Sequence, residues 1–254
     1  MDSMRQMQER ALNTAKTEAV NPKELLQLEL LTSFEKYTKA MFKAQYHRSF
    51  IVAEHHKKMF QALQDVVDGR CRRLIINIAP RYGKTELVIK SFISWCFALN
   101  PKCRFLHLSY SDILVNDNSE TIRNIMQEDL YRTLFPSSAL ASEKGSAKRW
   151  KTKAGGELYA VSTQGQVTGF GAGNVDIEID KMDGGNDIFV FDDHTNEVLS
   201  MIGAATNIFQ GAIVIDDPIK PEDAESDIVR ERINMRFENT IRNRTNSRNT
   251  PIII

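Results

Sequence analysis

Gly83, Lys84 and Thr85 stand where an apolar run, RRLIINIA, gives way through Pro80, Arg81 and Tyr82 to a helical pattern. These are the residue types a protein sets against phosphate. A glycine lets the backbone come close, so that N–H groups and the start of a helix face the anion; a lysine reaches the outer phosphates; a threonine hydroxyl can sit on magnesium. On that chemistry Pro80, Arg81, Tyr82, Gly83, Lys84, Thr85 and Glu86 are the candidate nucleotide-binding residues, with a nucleotide's phosphates and Mg²⁺ as ligands. Arg81, inside the loop, is suited to contact a γ-phosphate and to stabilise charge that develops during transfer. The pattern GxxxxGK[ST] asks for a glycine five residues before Gly83, and Ile78 stands there. A bare GKT also occurs in solvated turns, so its context must decide.

That context needs an acid at the end of another core strand to hold magnesium, followed by a carboxylate that orients or deprotonates the attacking water. Two stretches qualify: AIVI before Asp216 and Asp217, and IFVF before Asp192 and Asp193. The first is followed by a long helix, as a crossover unit requires. The second follows a DGG turn in an apparent hairpin and reads as its solvated end. Thr85 and Asp216 are therefore the expected metal residues, and Asp217 and Arg81 the catalytic ones. His55 and His56 stand before the first strand, near where a purine could stack. Neighbours on a helix point about 100° apart and make a poor joint metal site, so both read as solvated helix residues. No Ser-His-Asp or Cys-His arrangement is supported by spacing.

These side chains need a frame. Residues 73–79 form a run without alternation, as in a central parallel strand covered on both faces. Val88, Phe92, Trp95 or Cys96, and Leu99 continue as a helix that Asn100-Pro101 ends. RFLHLSYS is a second buried strand, and Ser111 or Asp112 caps the helix through NSETIRNIMQEDL. ELYAVS and GQVTGFGAG read as short strands and a glycine-rich loop. GAIVIDDPIK resumes the core; Val229, Ile233, Phe237 and Ile241, each four apart, mark a strongly amphipathic helix, and TPIII is a last strand. Strand and helix alternating with short links predict an α/β fold with a mostly parallel sheet flanked by helices. Upstream, Pro22 opens a helix with Leu26, Leu30, Phe34, Tyr37 and Met41 on one apolar face, and AEHHKKMFQALQDVVDG is a second helix stopped by Gly69. The division is an N-terminal helical segment, 1–70, and a core, 71–254, in which 174–210 is a β-hairpin-like insertion.

The 254 residues are 42% apolar and 26% charged, with no apolar stretch of membrane-spanning length. The polar, acid-bearing start resembles neither a signal nor a transit peptide. Three cysteines, Cys71, Cys96 and Cys103, suit neither a zinc site nor a disulfide framework. With 33 basic and 33 acidic residues, no global field draws in nucleic acid. The most basic stretch, carrying Arg230, Arg232, Arg236, Arg242, Arg244 and Arg248, suits either DNA phosphates, a neighbouring subunit or the polar face of a helix.

At LIINIAPRYGKTEL, RFLHLSYSDILVNDNSETIRNI, QVTGFGAG, GAIVIDDPIKPEDAES and RFENTIRNRTNSRNTPIII, over roughly 50–254, the chain resembles the N-terminal ATPase of the large terminase subunits of tailed bacteriophages. The resemblance implies a P-loop NTPase of the ASCE, RecA-like kind that drives double-stranded DNA into a procapsid in the host cytoplasm. Its implied partners are the portal protein, the small terminase subunit and further copies in a ring, with no membrane. Carried over, Lys84 and Thr85 bind Mg²⁺ and the β/γ-phosphates of ATP, Asp216 is the magnesium-associated acid and Arg81 the loop arginine. Asp217 stands where many relatives have a glutamate base. Phe170 stands where many have an arginine that reaches a neighbour's nucleotide, which leaves Arg123 or Arg149 for that role, or none. The nuclease of such proteins would lie past Ile254. The rival readings are a helicase-like nucleic-acid-dependent ATPase, a P-loop kinase, and a non-catalytic nucleotide-binding assembly module.

Overall fold

The computed structural model describes residues 21–142, 146–167, 169–173 and 209–254. Within them, six strands form one sheet in the order β1-β6-β5-β2-β4-β3. The strands are β1 (Arg73–Leu74), β2 (Arg104–Ser109), β3 (Arg149–Lys151), β4 (Glu157–Ser162), β5 (Ile213–Asp216) and β6 (Ile252–Ile253). Every pairing is parallel except that of β3 with β4. Side chains alternate between two buried clusters. Phe105, Leu158, Ala160, Val214 and Ile253 join one, and Leu106, Leu108, Val161, Ile213, Ile215 and Ile252 the other. Covered faces on both sides explain why RFLHLS and AIVI are near-continuous apolar runs.

The helices are α1 (Pro22–Thr32), α2 (Phe34–Tyr46), α3 (Glu54–Val67), α4 (Phe92–Leu99), α5 (Asp112–Gln127), α6 (Asp129–Leu134) and α7 (Asp227–Arg236). Phe34, Tyr37, Met41 and Leu63 share the first cluster with Leu87, Phe92 and Trp95, so α1 to α3 build one core with the helix behind the GKT loop. Buried polar groups pin that packing: Trp95 Nε1 donates to the Leu30 carbonyl (3.0 Å), and Tyr37 Oη to Ser94 Oγ (2.8 Å). Pro22 opens α1, Ser111 Oγ caps α5 and Gly69 takes a φ of 75° after α3, as their types require.

Three expectations need correction. Residues 73–79 are not a central strand. β1 has two residues at the edge of the described sheet, and from Leu74 onward half-buried Leu74, Ile76 and Ile78 alternate with exposed Ile75, Asn77 and Ala79. Its one neighbour, β6, covers it from one side only, and Ile76 N–H extends the pairing to the Ile254 carbonyl (2.8 Å). The apolar series from Leu26 to Met41 spans two helices, because extended Ser33 (φ −136°) breaks the chain and its Oγ caps α2. The series from Val229 to Ile241 changes pitch, α7 giving way to π-helical Phe237–Ile241, and only Ile241 is buried. ELYAVS is the expected strand, β4, paired along β2. The expected hairpin, with Asp192 and Asp193, and Thr168 of the glycine-rich loop lie outside the described residues. Cys71, Cys96 and Cys103 are free thiols, and burial pushes those of Cys96 and Cys103 well above the ordinary value. No helix among the described residues is long and apolar enough to cross a membrane.

Candidate functional site

The loop leaves β1 at the carboxyl end of the sheet, where ligands of open α/β sheets bind. Arg81 (φ 69°) and Gly83 (φ 81°) are both left-handed, a conformation open to glycine and strained by about 1–2 kcal/mol for arginine. Ile78, at the place of the pattern's first glycine, stays half-buried before the turn, and the tight backbone falls on 81 and 83. Leu87 N–H then donates to the Gly83 carbonyl (3.0 Å), opening a π-helical stretch, Thr85–Ser91, that runs into α4. The first N–H groups of such a helix lack internal partners and carry the positive end of its dipole.

The acids come from two strands away, with β6 between β1 and β5. Asp216 ends β5 beside Ser109 of β2 and is 7% exposed, whereas the Asp217 side chain is 59% exposed. Asp217 has a φ of 47°, a turn that Asp tolerates. Its carbonyl accepts from Tyr110 N–H (3.0 Å), and Thr163 Oγ1 donates to the next carbonyl, that of Pro218 (3.1 Å). Lys84 Nζ reaches Asp217 Oδ1 at 2.5 Å and Asp216 Oδ1 at 3.3 Å, while Thr85 Oγ1 donates to Asp216 Oδ2 at 2.8 Å. Partial burial works to strip the Lys84 proton, but the bonds and charges of Asp217 and Asp216 outweigh it and hold the ammonium above the ordinary lysine range. Beneath them His107 is fully buried: Nδ1 meets the Val214 carbonyl (3.2 Å) and Nε2 the Asn118 amide (3.3 Å). Desolvation lowers its pKa against the pull of the carbonyl and of Asp216, so it sits neutral, with the Nδ1 proton donated to Val214 and Nε2 accepting.

The structure brings Lys84, Thr85, Asp216 and Asp217 together. Pro80 and Arg81 are exposed beside them, and Tyr82 is 53% exposed. Glu86 turns the other way, accepting from Lys90 Nζ (3.1 Å) and Tyr46 Oη (3.5 Å). The residues offered in place of an arginine at 170 are committed elsewhere. Arg123 is 8% exposed on α5, and Arg149 Nε donates to Glu157 Oε1 at 2.6 Å. Phe170 itself is buried at the amino ends of β2 and β4, under the Arg104 and Arg149 guanidiniums (5.0 and 5.8 Å). In the basic stretch Arg230 pairs with Asp227, Arg242 with Glu238, and Arg236 donates to the Gly165 carbonyl.

Two residues escape sequence reasoning. His56 is half-buried and bonded to the Tyr82 carbonyl rather than solvated; its signal is a place three after Ala53, a helix N-cap with no side-chain oxygen. Thr163 has no signal, because its partner lies 55 residues away.

Among the described residues no group of three or more His, Cys, Asp or Glu side chains could hold a metal by itself. A magnesium carried on phosphates needs only one or two protein oxygens, and the adjacent Thr85 hydroxyl and Asp216 carboxylate meet that need. The chain matches no family model and no curated protein.

Proposed function

We propose that the chain is a P-loop ATPase whose hydrolysis drives double-stranded DNA into a viral procapsid, as the ATPase part of a large terminase subunit. The observation that carries the catalytic half is the meeting of Lys84 and Thr85, from the loop after β1, with Asp216 and Asp217, from the end of β5. The packaging half rests on the sequence blocks quoted above. With it come the partners: the portal, the small subunit and further copies in a ring, assembled in the host cytoplasm.

Lys84, Thr85 and Asp216 would hold a magnesium-bound triphosphate; the metal, when bound, neutralises phosphate charge. Lys84 is already charged and is drawn by its carboxylates to the mouth of the loop, where it can meet further anions. Asp216, buried and bonded to Thr85, is fixed in orientation. Asp217, open to water, is suited to orient a water molecule and accept its proton on a carboxylate oxygen. Arg81 offers a guanidinium on the exposed side of the loop.

Hydrolysis of ATP with and without double-stranded DNA tests this. Lys84→Ala should lower the stimulated rate about 10²–10³-fold, the usual effect of deleting one preorganised charge, with the unfolding temperature nearly unchanged. Retained hydrolysis would defeat the assignment. Stimulation by single strands with duplex unwinding would favour a helicase instead.

A further inference from the structure

His56 lies outside the four-residue cluster, yet both of its ring nitrogens are engaged. Ala53 N–H donates to Nδ1 at 3.0 Å, so Nδ1 carries no proton. The proton of the neutral ring is therefore on Nε2, which donates to the Tyr82 carbonyl at 3.2 Å. The Phe50 ring lies 5.1 Å from the imidazole and the His55 ring 3.9 Å, centroid to centroid. A Cβ at Gly83 would come 3.0 Å from the same Nε2, so this glycine leaves room for the imidazole as well as for its own backbone.

In a trans peptide the C=O and the following N–H point in opposite directions. Drawing the Tyr82 carbonyl toward α3 therefore turns the Gly83 N–H away from it. We propose that His56 is a positioning residue: by holding the 82–83 peptide in one orientation it presents the Gly83 amide as a donor to a phosphate oxygen, an inference that rests on the nucleotide reading of the loop. It ties the N-terminal helices to the loop through one hydrogen bond, independently of Lys84.

The test compares His56→Gln with His56→Met in the full chain. The two side chains have nearly the same length and volume; Gln can keep both bonds, its Oε1 accepting from Ala53 N–H and its Nε2 donating to the Tyr82 carbonyl, whereas Met can make neither, and cleavage after Arg81 reads the loop rather than the start of α3. His56→Met should weaken ATPγS binding about tenfold, the scale of one lost hydrogen bond, and should speed tryptic cleavage after exposed Arg81. His56→Gln should stay within about twofold of the parent in both. His56→Leu replaces the Met variant if thermal melting shows that the latter does not fold. Equal binding and cleavage in all variants, or a Gln variant as impaired as Met, would overturn the proposal. A parent chain that fails to bind ATPγS would sink the nucleotide reading alone, and the cleavage comparison would still decide whether His56 sets the loop.

Discussion

The two ends of the sheet each hold a cluster of opposite charges, built to opposite purposes. At the amino end, Glu157 is the first residue of β4 and its side chain is 5% exposed. Arg104 reaches it at 3.3 Å and Arg149 at 2.6 Å, and both guanidiniums lie over the Phe170 ring. All three charges sit on regular strands. At the carboxyl end, Lys84 stands at the first turn of a helix and Asp217 on a loop, three residues there have positive φ, and the Asp217 side chain is 59% exposed. A carboxylate closed in by two cations and an aromatic ring has no room for another partner, so its charge serves the fold. A carboxylate gripped by one lysine and facing water has room for one, and left-handed Arg81 adds backbone strain nearby.

Neutralising one acid at each end would break or sharpen this contrast. Asp217→Asn should have the largest effect. Asn accepts a left-handed backbone as Asp does, so the variant isolates the carboxylate. Hydrolysis should fall about 10²-fold, the scale of a lost general base, while ATPγS affinity and the unfolding temperature hold. Glu157→Gln should do the reverse. Because the pair is buried on the acid side but partly open on the arginine side, about 2 kcal/mol of stability should be lost. Calorimetry should then show melting roughly 4–8 °C lower, with the rate per folded molecule within about twofold. Arg81→Gly gives the smallest and most pointed result. Removing a strained left-handed residue should raise stability by about 1 kcal/mol in urea unfolding, while hydrolysis drops. A stabilised variant with full activity would leave the strain at Arg81 without a purpose.

How much of this is legible in the sequence follows from the range of each interaction. The α/β alternation and the acid pair of AIVIDD are local patterns, and both can be read from apolar runs, caps and glycines. The edge position of β1 cannot, because which strand pairs with which is decided by residues as distant as Arg73 and Ile252. The break at Ser33 is hidden because Phe34, Tyr37 and Met41 keep the apolar phase of α1 across a single extended residue. The π-helical stretches leave no mark in residue type. At the site, the lysine, threonine and acids announce themselves by chemistry. Left-handed Arg81 does not, since nothing in an arginine side chain asks for it, and His56 is visible only to someone who asks what satisfies the start of α3.

Ser94 has a mechanical consequence. It lies nine residues beyond Thr85 on one unbroken helical rod, on the order of 12 Å along the axis. There its hydroxyl accepts from Tyr37 and its carbonyl from Tyr131 (3.1 Å). A thrust on the loop therefore meets a rod bolted at its middle to two other helices, and passes into the helical layer as a whole rather than dying out in a soft turn.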